Sequence, residues 1–97
     1  MTKEQVLEVV AELEEMAVRA GWCHEGTKLA STGSAYIELK RRQGTMGEWL
    51  VVRVATHKQV YGNWLTTLSW SPYELDERMI AEVLAKPFGE AGDVFEL

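Results

Sequence analysis

A chain of 97 residues, 46% hydrophobic and 26% charged, is long enough for one core and short for two, which predicts a single domain over residues 1–97 and excludes a disordered chain. Its net charge of −5 is unevenly spread. Residues 1–25 carry six acids and two bases, residues 26–70 two acids and six bases, and residues 71–97 seven acids and two bases. Acidic ends around a basic middle predict a surface built for contacts rather than an active site.

The first element is predicted as an amphipathic helix from Lys3 to Ala20. Thr2 and Gln5 have capping-box spacing. Val6, Val10, Leu13, Ala17 and Ala20, widened by Val9 and Met16, form the expected core stripe, while Glu4, Glu8, Glu12 and Glu15 form an acidic ridge on the outer face. Gly21 is placed to end the helix in a left-handed cap.

Trp22 to Ser34 turns small and polar and reads as a loop. Three strands are then expected, at Ala35 to Arg41, Glu48 to Thr56 and Trp64 to Trp70. A hairpin containing Gly44 and Gly47 joins the first two, and a loop containing Gly62 and Asn63 joins the last two. Alternation assigns Ile37, Leu39, Leu50, Val52, Val54 and Leu68 to a helix-covered face. The opposite face takes Tyr36, Glu38, Lys40, Trp49, Val51, Arg53, Ala55 and His57.

A second helix is predicted from Pro72 to Lys86, because Ser71, Pro72 and Glu74 make a complete start signal and Pro87 forbids further turns. Leu75, Met79, Ile80, Val83 and Leu84 supply its buried stripe. The tail from Phe88 to Leu97, with Val94, Phe95 and Leu97, reads as an extended segment docked on the body. The expected fold is therefore α+β: a two-layer sandwich in which a helix, a three-stranded antiparallel meander and a helix follow in order. The double-stranded RNA-binding domain shares that order but binds through a lysine-rich helix start, where this chain has Tyr73-Glu74-Leu75-Asp76-Glu77.

The chemistry-bearing residues are few. One cysteine, Cys23, fits a reducing compartment, and no apolar run is long enough for a bilayer; with the charged start at Thr2 to Gln5, the reading is cytoplasmic. Cys23, His24 and His57 are too few for a structural zinc site and lack its spacing, and no glycine pattern matches a nucleotide loop. The expectation is a protein that is not an enzyme and needs no cofactor or metal.

Lys40-Arg41-Arg42, with Arg53, Lys58, Lys28 and the aromatics Tyr36 and Trp49, is the case for nucleic acid. The acidic net charge and an isoelectric point near 5.0 make that the alternative reading. Four tryptophans in 97 residues point instead to protein binding, because large aromatics beside arginine are what interface hot spots contain. The expected interaction residues are Tyr36, Trp49, Arg53 and His57 on the sheet and Glu4, Glu8, Glu12 and Glu15 on the first helix. Bare sheet edges also predict a homodimer.

Ser34-Ala35-Tyr36-Ile37-Glu38-Leu39 followed by Val52-Arg53-Val54-Ala55-Thr56-His57 resembles a pattern in short uncharacterised proteins of bacteriophages and mobile elements. There a Ser-x-Tyr strand precedes an Ile/Val-Arg-Val/Ile-Ser-Asp-His strand; here Ala55-Thr56 stands in place of Ser-Asp. The resemblance implies a small phage accessory protein that acts by occupying a host protein, such as a nucleic-acid-binding one, in the manner of some anti-CRISPR proteins.

Overall fold

Thr2 begins the first helix by accepting a hydrogen bond from the Gln5 amide through Oγ1 (3.2 Å), while Gln5 Oε1 accepts from the Thr2 amide (2.8 Å), closing the capping box. The computed structural model describes residues 2–57, 59–67 and 73–95. Helix α1 spans Lys3–Arg19. It ends in a Schellman turn: Gly21 takes φ +96°, its amide donates to Val18 O (3.0 Å), and the Trp22 amide reaches back to Ala17 O (2.9 Å). Trp22 and Ala17 are both buried, so the turn also delivers an indole to the core.

Five strands follow: β1 Cys23–Leu29, β2 Ala35–Gln43, β3 Met46–Val54, β4 Val60–Thr66 and β5 Tyr73–Leu75. They pair antiparallel in chain order. Helix α2 spans Glu77–Ala85, and a 3₁₀ turn spans Ala91–Phe95. The fold is α+β, with an antiparallel sheet of five strands and two helices. Val6, Val10 and Ala17 of α1 and Ile80, Val83 and Leu84 of α2 join Ile37, Leu39, Leu50, Val52, Val54, Trp64 and Leu75 in one buried cluster. Both helices therefore cover the same sheet face. No helix among the described residues is long and apolar enough to cross a membrane.

Several expectations are corrected. The predicted loop after Trp22 contains β1, whose residues are half-exposed or exposed throughout. An edge strand of this kind is held by backbone pairing with β2 rather than by buried side chains, so it lacks apolar alternation. Gly62 and Asn63 lie inside β4 instead of in a loop. A Cβ at Gly62 would stand 2.5 Å from Val51 O, so glycine marks a close backbone approach.

The second helix starts at Asp76, whose Oδ1 accepts from the Met79 amide (2.9 Å), and not at Pro72. Tyr73–Leu75 instead pairs with β4, which turns Leu75 onto the core opposite Gly62. The tail docks as a 3₁₀ turn with Ala91 buried, not as an extended segment. Met16 is 44% exposed, beyond the stripe through which α1 meets the sheet. Lys58, Leu68, Trp70, Ser71, Pro72 and Leu97, which the sequence placed in a basic face, a strand, a helix start and the tail, lie outside the described residues.

Candidate functional site

Register fixes the face that the helices leave open. Lys28 stands opposite Tyr36, Tyr36 opposite Arg53, and Arg53 opposite Tyr61, forming one row across β1 to β4. The next row runs Gly26, Glu38, Val51, Asn63 and Glu74, and a third runs Cys23, Lys40, Trp49 and Leu65. Adjacent pairs in a row project to one side of the pleat. Their neighbours Ile37, Leu39, Leu50 and Val52 are at most 2% exposed beneath the helices, whereas Val51 is 38% exposed.

Within this face Arg53 lies between two aromatic rings, its Cζ 5.5 Å from the Tyr36 centroid and 5.3 Å from the Tyr61 centroid. Both are cation–π distances. Its Nε is buried and has no hydrogen-bond partner. Trp49 lies back along its own strand. A Cβ on Gly47 would meet Trp49 Cη2 at 2.9 Å, so the indole spreads over Gly47 and Trp49 is half-buried. The result is a shallow face on which two tyrosine rings flank one guanidinium, with the Trp49 indole two rows away over Gly47.

The bases on and beside this face are mostly neutralised. Lys28 Nζ is 3.2 Å from Glu38 Oε1, and Lys40 Nζ is 3.9 Å from Glu25 Oε1. The run Lys40-Arg41-Arg42, which reads as a solvated or phosphate-binding stretch, is divided by the pleat. Lys40 faces the open side, Arg42 is exposed, and Arg41 turns inward, 6% exposed, against Glu48. Arg41 Nη2 donates to Glu48 Oε2 (3.1 Å) and its two Nη atoms donate to Pro87 O and Lys86 O, while Trp22 lies 4.0 Å beneath its Cζ. It is a structural group and presents nothing to a ligand.

Of the sequence-expected interaction residues, Tyr36, Trp49 and Arg53 share the open face. His57 does not, and neither does Ala55, which alternation also assigned to that face. Strand β3 ends at Val54, Ala55 is fully buried with its amide donating to Gln59 O (2.9 Å), and His57 sits exposed in the ensuing turn, its Nε2 3.0 Å from Gln59 Oε1. Glu4, Glu8, Glu12 and Glu15 are exposed on α1, in the helical layer on the other side of the sheet, with Glu15 ion-paired to Arg19. The two groups of candidates are thus on opposite sides of the molecule. Tyr61 and Leu65 complete the face. The alternation Tyr61, Asn63, Leu65 signals them, but the turn-like pair Gly62-Asn63 obscures it.

Cys23 and His24 project to opposite sides of β1, Cys23 beside Lys40 and His24 towards α1. His24 Nε2 lies 2.7 Å from Thr27 Oγ1, which in turn donates to Glu14 Oε1 (2.6 Å). Among the described residues no three His, Cys, Asp or Glu side chains gather as a metal site. Comparison of the chain with protein-family models, with curated proteins and with solved structures gives no match.

Proposed function

We propose that this chain is a small non-catalytic interaction protein that occupies the surface of a protein partner with its open sheet face. The observation that carries the reading is the Tyr36–Arg53–Tyr61 row, aromatic and arginine side chains ordered by one another, with Trp49 two rows along on a sheet face that neither helix covers. Such residues dominate binding energy when desolvated by a partner, and their prior ordering reduces the entropy lost on association. The phage accessory reading fits this mode of action, in which a cytoplasmic inhibitor works by covering a host protein's surface, as anti-CRISPR proteins do.

Protein is favoured over nucleic acid because three of the strand bases that would follow a phosphate backbone are committed elsewhere, Lys28 and Lys40 to carboxylates and Arg41 to the core. The test is affinity capture from a bacterial lysate with and without nuclease, using the wild-type chain and Trp49→Ala. A partner that survives nuclease treatment and is lost with Trp49→Ala is expected. Capture that disappears with nuclease supports the nucleic-acid alternative, and its salt dependence would then be steep.

A further inference from the structure

Arg53 differs from Lys28, Lys40 and Arg41 in having no counter-ion among the described residues, and from Arg42, which also has none there, in being only half-exposed. Lys28, Lys40 and Arg41 each have a carboxylate within 4 Å, whereas no carboxylate of the described residues ion-pairs with Arg53. Its guanidinium is half-buried on the open face, with tyrosine rings on two sides and a buried Nε that donates to nothing. Rings satisfy the faces of a guanidinium but not its N–H edge, where its five donors lie. A cation partly removed from water, held in place and left without an acceptor is a half-built ion pair.

We infer that the open face binds a single carboxylate, an Asp or Glu side chain on an otherwise apolar segment of the partner, which Arg53 grips through its Nη groups while the segment lies across Trp49 and Val51. This rests on the interface reading above and specifies its chemistry. A fork of parallel donors matches a carboxylate. One negative charge is what the face accommodates: Glu38 and Glu74 stand in the row next to that of Arg53, and the chain carries −5 overall. A run of phosphates laid on the same surface would meet those two acids.

Side-chain ¹⁵N NMR of the intact chain tests this with three probes: the capped peptides acetyl-Val-Asp-Leu-amide and acetyl-Val-Asn-Leu-amide, and a thymidine hexanucleotide. The Asp peptide is expected to shift the Arg53 Nε–H resonance saturably, and the Asn peptide to bind about tenfold more weakly. Arg53→Lys, which keeps the charge but loses the fork, should weaken the Asp peptide by a similar factor, and Tyr61→Leu should weaken it through loss of one supporting ring. Equal shifts from the Asp and Asn peptides, or shifts confined to Arg42, overturn the assignment. Tighter binding of the hexanucleotide overturns it in favour of phosphate. If the peptides fail while Trp49-dependent protein capture persists, only the carboxylate assignment falls; if that capture also fails, the interface reading falls with it.

Discussion

Arg41 and Glu48 stand directly opposite each other across the β2–β3 hairpin and form a 3.1 Å ion pair in which neither side chain is more than 6% exposed. Glu48 also accepts from Trp64 Nε1 (3.1 Å) and from the Gly89 amide (2.6 Å), while Arg41 donates to the carbonyls of Lys86 and Pro87. One pair thereby fastens the hairpin, β4 and the segment after α2. Two buried charges are tolerable because each has several partners, and removal of one strands the other.

Glu48→Gln should therefore destabilise the fold by about 3–5 kcal/mol, since it leaves the Arg41 guanidinium buried without a counter-charge. The double variant Arg41→Met/Glu48→Leu should lose less than Glu48→Gln, because no charge remains to be compensated. Urea unfolding of the three proteins measures both. A single variant within a few tenths of a kcal/mol of wild type would show that the pair does not hold the fold.

Two glycines on β3 and β4 should respond differently to alanine. Gly62→Ala sets a methyl 2.5 Å from the Val51 carbonyl, a backbone atom that cannot move without breaking the β3–β4 ladder. A loss of about 1–3 kcal/mol is expected. Gly47→Ala meets only the outer edge of the Trp49 indole at 2.9 Å, which can swing aside. Its stability should change less, and its tryptophan emission should shift as the ring moves.

Much of this was legible in the residues, and the failures have particular causes. Helix α1 was readable because Thr2, Gln5, the Val6–Val10 stripe and Gly21 all signal the same element. The faces of β2 and β3 followed from alternation alone, and that alternation also carried the buried pair: Arg41 shares parity with Ile37 and Leu39, and Glu48 with Leu50 and Val52. Charge argued for the surface where parity argued for the core, and parity prevailed because each charge found partners. Strand β1 was invisible since an edge strand needs no apolar face. The start of α2 was obscured by two consecutive start signals, and Asp76 prevails because it leaves Tyr73–Leu75 free to seal the sheet over Gly62. The open face was half legible. Tyr36, Trp49 and Arg53 came from spacing, whereas Tyr61 emerged only once Gly62 was seen inside a strand.

The chain His24, Thr27, Glu14 ties β1 to α1. The Thr27 hydroxyl donates to Glu14, so it accepts from the Nε2–H tautomer of His24. Thr27→Val removes both bonds and should lower stability by about 1 kcal/mol. Hydrogen exchange should show faster opening of β1 than of β3, because among the described residues the outer edge of β1 has no neighbouring strand. Uniform protection across all five strands would contradict this.

Self-association is expected to use the open face rather than a sheet edge. Strand β1 has a register shift between His24 and Gly26 and carries Lys28, and β5 is three residues long; all are features that discourage edge pairing. Sedimentation equilibrium should show a mass rising above 11.0 kDa at high-micromolar concentration, and Trp49→Ala should return it to the monomer value. An increase that survives Trp49→Ala would place the contact elsewhere.

The open sheet face, and not the acidic ridge of α1, is expected to carry binding. Titration calorimetry of the captured partner decides it, with wild type, Trp49→Ala and the ridge reversal Glu8→Lys/Glu12→Lys compared at one ionic strength. Trp49→Ala is expected to lose about 2 kcal/mol, roughly a thirtyfold weaker complex, while the ridge reversal leaves the affinity close to wild type. Unchanged affinity for Trp49→Ala together with loss of binding in the ridge variant would contradict it.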